Sequence, residues 1–430
     1  MQVGPAGVEA TAGYAPAIVA ARHPFRAGTA GPDAGSGAAF AVVGAALFVL
    51  VTGANLATPL YAVYRERFGF SSLVLTLVFA TYQLVLCPSL LVFGQLSDRL
   101  GRRPVIAAGL AVAMAGLALF ALARGTGWLF AARVVQGLAV GTATGAASAA
   151  LVELAPAAEK ARAALVSTLA QAGGSAAGPL VAGMLAEWAP APRMTSFVIG
   201  IVVTGALLVG VLAVPGLPAG GGGAWRMQRP SVPPEIRWRF ARVALSAAAA
   251  WAVVGLYLSV VPSYAGSLLG TSNLALEGVI TAVALLASCA AQMAFRRGGA
   301  VERDQSLGLG LVVLSLVALV AAFPTHSVVL LFAAAVMGGV GHGMAFLGAQ
   351  ADVNATAPPD RRGEVTAAFF VCIYLGVAVS AIGVGVVATL ASLYTAVVVF
   401  ACVTGAACLA AIGWHVAVRR ARGAPLGGGR

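Results

Sequence analysis

Charge is what this chain has least of. Asp, Glu, Lys and Arg make up 9% of its 430 residues, where a soluble domain carries about 25%. So few charges cannot cover a water-facing surface of this size, and 60% of the chain is hydrophobic. That excludes an ordinary soluble globule and points to a lipid bilayer. Lys160 is the only lysine, so arginine supplies nearly all the basic charge. Histidine is scarce: His23, His326, His342 and His415 show no metal-ligand spacing. No His/Glu or Ser/Lys constellation of a membrane enzyme accompanies them, and neither a metal nor another cofactor is expected. Cys87, Cys289, Cys372, Cys402 and Cys408 all lie in apolar runs and read as buried free thiols. An acid within the membrane is missing too. No Asp or Glu falls in the middle of an apolar run, and Glu277 lies only near the end of one. That weakens the case for proton coupling and argues against a multivalent cationic substrate.

What the chain has in abundance is apolar sequence of membrane-spanning length. Twelve runs stand out, at 38–63, 71–93, 104–123, 127–152, 161–187, 196–214, 241–265, 274–295, 306–323, 327–350, 364–390 and 392–416. Each suits a transmembrane helix, and the 54 glycines suit helices packed closely in lipid. The expected fold is all-α and integral to the membrane. Residues 1–37, rich in Ala, Gly and Pro, read as a disordered cytoplasmic tail rather than a cleaved signal peptide. Residues 417–430 read as a basic cytoplasmic tail. The longest internal polar break, 215–240, holds Gly220 to Gly223 and Pro230, Pro233 and Pro234, and reads as a flexible linker. It divides the runs into six-helix bundles at 38–214 and 241–416.

With the N-terminus inside, twenty-one of the 26 basic residues fall in inside segments and four outside, with Arg133 left within a run. The bias follows the positive-inside rule and accounts for the net charge of +12 without nucleic acid. The bundles also resemble each other. Glu153 and Asp352 stand 199 residues apart, as do Arg162 and Arg361. Pro59-Leu60-Tyr61 in the first run answers Pro262-Ser263-Tyr264 in the seventh, and Phe295-Arg296-Arg297-Gly298-Gly299 is a degraded copy of the segment described next. Together these suggest a duplicated unit with a substrate site between its halves.

That segment is Gly94-Gln95-Leu96-Ser97-Asp98-Arg99-Leu100-Gly101-Arg102-Arg103-Pro104, a charged turn between the second and third runs. Gly94 and Gly101 allow the bend, Pro104 suits a first helical turn, and Asp98 can pair with Arg99, Arg102 or Arg103. Charge alone would make it a basic loop. The ordered set resembles the loop motif of the major facilitator superfamily, at the place that family carries it. The resemblance extends over about residues 38–416. It implies twelve transmembrane helices in two pseudo-symmetric six-helix bundles that rock around a central site.

Two readings are open for Arg133: it snorkels to the interface, or it faces a partner or cavity. Arg133-Val134-Val135-Gln136-Gly137 resembles the family's fourth-helix motif, which implies a role in substrate handling or proton coupling. Gly174, Gly178, Pro179 and Gly183 form a small-residue packing face with a proline kink. They also resemble the fifth-helix motif of drug exporters, although Ala182 and Leu165 stand where glycine is usual. Glu153 and Asp352 are either solvated helix ends or, as the resemblance implies, part of a latch. That latch would join Gly94, Asp98, Arg99, Gly101, Arg102, Arg103, Arg162 and Arg361 in the outward-facing state. Asn55, Gln83, Gln136, Gln171, Tyr257, Tyr264, His342 and Tyr374 are polar groups within runs, open to a substrate or coupling role or to hydrogen bonding between helices. His342 reads first as a packed, hydrogen-bonded imidazole.

These features point to a transporter rather than an enzyme, located in the inner membrane of a bacterium with both termini cytoplasmic. Its expected partners are the bilayer, a small-molecule substrate and protons. The first reading is efflux of a hydrophobic drug-like compound or metabolite by proton antiport. The second is uptake or facilitated diffusion of a nutrient such as a sugar or organic acid, for which more Trp, Asn and Gln in mid-span would be expected.

Overall fold

The computed structural model describes residues 34–220, 229–296 and 301–423. The first part of the N-terminal tail, the linker glycines past Gly220, the end of the Phe295–Gly299 motif and the last residues of the C-terminal tail lie outside them. Every long element among the described residues is an α-helix. In the first half these are α1 (Ala34–Asn55), α2 (Ser72–Phe93), α3 (Arg102–Ala121), α4 (Thr126–Leu154), α5 (Lys160–Trp188) and α6 (Pro192–Ala213). The second half holds α7 (Arg237–Ser259), α8 (Leu274–Phe295), α9 (Val301–Ala322), α10 (Val328–Thr356), α11 (Arg362–Leu390) and α12 (Leu393–Gly423). Eleven of the twelve are long and apolar enough to cross a membrane. The other, α5, is Ala- and Gly-rich and packs between α1 and α8, where small residues serve better than bulky apolar ones.

Helix starts follow local chemistry. The Ser71, Asn273 and Ser327 side chains accept from the backbone N–H of Val74, Leu276 and Leu330, capping α2, α8 and α10. Helix α1 ends earlier than its apolar run. After Asn55 the chain makes tight turns with i→i−3 bonds, as from Leu60 N–H to the Ala57 carbonyl, and then enters a short helix, Tyr61–Phe68. Pro59 lacks the N–H that a continued helix would need. The second half repeats the break: α7 stops at Ser259 and a short helix, Val261–Leu269, starts with Pro262 in its first turn. Helix α12 runs to Gly423, into the segment read as a basic tail.

The packing is duplicated. In the first half α3 and α2 pack on α4, α5 and α6 on α1, and α6 on α3. In the second half α9 and α8 pack on α10, α11 and α12 on α7, and α12 on α9. Between the halves the main contacts are α5 with α8 and α2 with α11, a pair that the same six-helix shift exchanges. Glycines set the closest approaches. A Cβ on Gly141 of α4 would strike Ser89 of α2, and one on Gly343 of α10 would lie 2.5 Å from the Ser288 carbonyl oxygen of α8. Gly174 and Gly178 bring α5 against the Phe48 and Thr52 carbonyls of α1.

Candidate functional site

Arg133 is buried at 2% exposure in the first bundle. Its Nε donates to the Tyr61 hydroxyl (2.5 Å), and Nη1 donates to the Ala54 carbonyl and to Gln136 Oε1 (both 2.8 Å). Gln136 in turn donates to the Gly53 carbonyl (3.1 Å). The guanidinium lies over the Tyr61, Tyr82 and Phe120 rings, 5.3–5.5 Å from their centroids. Among the described residues no carboxylate pairs with it. The helix break supplies this site: it frees the Ala54 carbonyl at the end of α1, leaves that of Gly53 only a long bond from Leu56 N–H (3.5 Å), and turns Tyr61 inward. Arg133 does not snorkel; it clamps the broken end of α1 to α4. Asn55 is occupied locally, donating to the Val51 carbonyl (2.9 Å).

The second bundle presents a neutral aromatic cluster to the interface between halves. His342 is 3% exposed, meets Trp251 edge-on (centroids 4.9 Å) and stacks on Phe346 (5.8 Å). Phe346 stacks on Phe369, Phe369 meets Phe370, and Phe370 stacks on Tyr374. His342 Nδ1 lies 2.7 Å from Ser288 Oγ, which accepts from Gln292 (3.2 Å). Trp251 packs on an apolar cluster that joins both halves through Phe79, Ala176, Leu285 and Val377. Tyr374 packs against both bundles. Gln83 is buried with Oε1 unpartnered, and Gln171 bonds within its own helix to Ser167. Tyr264 donates to the Leu319 carbonyl (2.9 Å).

At the end carrying the basic turns, the charges gather within each half. Arg102 holds both Glu153 oxygens (2.5 and 3.0 Å), Asp98 (2.6 Å) and the Ser97 hydroxyl (2.5 Å). Asp352, 3% exposed, binds Arg239 (2.5 Å) and Arg242 (3.3 Å) of α7. Arg162 turns to Glu159, and Arg361 to Glu364 and Ser231. Among the described residues no ion pair joins the halves here, so the expected latch residues form separate clusters in this conformation. Gly94 ends α2, and Gly101 adopts φ +95°. The start of the linker lies against this turn: Arg102 N–H donates to the Pro218 carbonyl (3.1 Å) and Arg103 to that of Val214.

The opposite end is where the halves close on each other. Gly183 of α5 sits against the Leu274 carbonyl, Gly278 of α8 against that of Pro179, and Leu274 N–H donates to Glu187 (2.9 Å). The symmetric seam has Leu73 N–H donating to Thr389 (3.0 Å) and Gly385 against Thr76. The fifth-helix motif is thus divided: Gly174 and Gly178 serve α1, while Pro179 and Gly183 serve the contact between halves. Glu277 lies one residue from that contact, 3% exposed, with Oε2 unpartnered and Oε1 over Gly266.

The family model described as Major Facilitator Superfamily matches residues 43–301. The chain belongs to this superfamily. Solved structures similar to this transporter include a bacterial homolog of the human lysosomal transporter Spinster, inward-facing and unoccupied. It has 15% identity over 90% of this chain and 98% of that one, with TM-score 0.71. A POT family transporter in complex with 5-aminolevulinic acid shares 12% over 89% and 96%, with TM-score 0.74. The nucleoside transporter NupG shares 14% over 87% and 99%, with TM-score 0.67. Among curated proteins none matches in sequence. The chain is therefore a multi-pass membrane protein of a family that moves small molecules across membranes, and not an enzyme.

Sequence reasoning missed several groups in this facilitator. Arg239 and Arg242 fell in or beside the linker, yet their three-residue spacing on α7 gives Asp352 two cations on one helix face. Trp251, Ser288, Gln292 and Phe346 lie in ordinary apolar runs, and only the packing of α7 and α8 against α10 assembles them. Tyr61 was matched to Tyr264 through their Pro-x-Tyr setting, but their partners differ.

Proposed function

We propose that the chain exports a hydrophobic drug-like compound or metabolite by proton antiport, from the inner membrane of a bacterium with both termini cytoplasmic. The excess of arginine at one end of the bundle supports that orientation, and the resemblance of the fifth-helix segment to that of exporters supports the direction. The observation that carries the reading is how little charge is free between the halves. Arg133 is spent on Tyr61, Ala54 and Gln136, and the facing cluster around Trp251 and His342 is aromatic and neutral. Such a site suits an apolar molecule oriented by a few hydrogen bonds.

Glu277 supports the coupling. It is a carboxyl group buried beside the seam of α5 and α8, with Oε2 unpartnered and no ion pair among the described residues. Parting the halves at that seam would open Glu277 to water, and closing them would bury it again. A group whose solvation changes with the transport step can carry a proton through it.

Inverted membrane vesicles expressing the chain test this reading. They would be offered a mixed panel of lipophilic compounds and metabolites with and without an imposed proton gradient. Gradient-driven accumulation of a compound, reduced to passive equilibration by Glu277→Gln, is the expected result. Equilibration that ignores the gradient in the wild-type chain, or movement only in right-side-out vesicles, would replace antiport with nutrient uptake or facilitated diffusion.

A further inference from the structure

We infer that Trp251 and His342 offer two N–H donors to the transported molecule, and that the substrate is an aromatic compound bearing an acceptor oxygen, a carbonyl or carboxylate, rather than an organic amine cation. This rests on the reading of the chain as a carrier of apolar small molecules and names their class. The tautomer follows from the hydrogen-bond network. Ser288 Oγ accepts from Gln292 and lies 2.7 Å from His342 Nδ1. Serines elsewhere in these helices, Ser246 and Ser259 among them, give their proton to the carbonyl four residues back. Ser288 makes no such bond among the described residues, so its proton goes to Nδ1, and the hydrogen of the neutral imidazole sits on Nε2.

That Nε2 is buried without a partner, and so is Trp251 Nε1, which can only donate. Two neighbouring rings thus each hold an N–H with no acceptor, where buried polar groups are ordinarily satisfied. Trp251 stands at the interface between halves, packed on the cluster that includes Phe79 and Ala176 of the first bundle, and His342 lies directly behind it. An acceptor oxygen on a bound molecule would satisfy them. The row of rings from Phe346 to Tyr374 gives the planar remainder surfaces to stack on. An amine has the opposite need, an acceptor. The acid on α8, Glu277, is eleven residues from Ser288, about 16 Å along the helix.

Four naphthalene probes of one size separate the possibilities: 2-acetonaphthone, 2-naphthoate, 2-ethylnaphthalene and 2-naphthylmethylamine. Equilibrium binding to the purified full chain would be measured by scintillation proximity. The ketone or the naphthoate, or both, should bind more tightly than the hydrocarbon and the amine, and their ranking distinguishes a neutral from an anionic acceptor. Trp251→Phe, which keeps a ring and removes the N–H, should weaken the preferred probe by about 5- to 10-fold and leave the hydrocarbon unchanged. His342→Gln, which retains a donor, should weaken it less than His342→Leu. Melting curves of the variants identify any that fail to fold, and the remaining variants still decide. Equal binding of all four probes, preference for the amine, no binding of ketone and naphthoate, or an equal loss for every probe in Trp251→Phe overturns the assignment. Because binding needs neither a gradient nor a direction, vesicles that show no coupled export would sink the antiport reading alone.

Discussion

Tyr61 accepts a hydrogen bond from Arg133 Nε across 2.5 Å, and the pair ties the short helix after the α1 break to the middle of the first bundle. The same guanidinium holds the Ala54 carbonyl that the break leaves free. Tyr61→Phe keeps the ring beneath the cation but removes one charged-group hydrogen bond. It should cost about 1.5–3 kcal/mol, read as a lower melting temperature of the purified transporter. Arg133→Ala frees the Gln136 and Tyr61 partners together and should cost more, with transport lost. A melting temperature unchanged in Tyr61→Phe would mean that the clamp is not held through this hydroxyl.

Arg133 also shows what was and was not legible in the sequence. That a cation sits in the fourth apolar run is a fact of composition, and hydropathy with arginine placement finds the twelve helices and their division. The partners come from elsewhere: Tyr61 reaches Arg133 only because the helix breaks before it, and an unbroken apolar run hides the break. The Pro-x-Tyr likeness pairs Tyr61 with Tyr264, whereas the geometry pairs Tyr264 with Tyr64. Tyr64 donates to Phe120 O of α3 and Tyr264 to Leu319 O of α9, the same contact in each half. Pattern matching reads local order, while the contact depends on where the third helix of each half passes.

Asp352 has a different set of partners from the one its helix-end position suggests. Asp352 and Arg242 are each 2% exposed in their side chains. Asp352→Asn would leave Arg242 buried with Glu302, 3.8 Å away, as its remaining acid, and should cost about 3–5 kcal/mol. Arg361→Ala should change stability by less than about 0.5 kcal/mol, because its partner Glu364 is substantially exposed. Thermal melts of the two variants side by side check the contrast. Equal losses would mean that Arg361 does more in the second bundle than its contacts indicate.

Gly101 combines two constraints. Its φ of +95° with ψ of 159° is a region that essentially only glycine adopts, and a Cβ there would lie 3.0 Å from Gly220 N of the linker. Gly101→Ala should cost about 1–3 kcal/mol. It should also loosen the linker, measured as faster hydrogen exchange at the Arg102 amide, which donates to Pro218. Lost stability with unchanged exchange at that amide would assign the strain to the turn alone.

Gly278 tests whether the α5–α8 seam controls which end of the transporter is closed. A Cβ at this position would run into the Pro179 carbonyl, and one at Gly183 would lie 2.5 Å from that of Leu274. Neither obstacle is the flexible tip of a side chain, so Gly278→Ala must push α8 away from α5. Each glycine otherwise meets mainly the opposite half, and the substitution therefore acts on the contact between halves more than on either bundle. A two-state carrier moves by the difference in free energy that a change makes between its states. Gly278→Ala disfavours the state with this end closed and should raise the population with it open. Spin labels at Trp188 and Ser272, both exposed beside the seam, would report this as a longer distance component that grows in the variant. An unchanged distance distribution would show that the seam yields locally, and control of closure would then pass to the symmetric contact of Gly385 with Thr76.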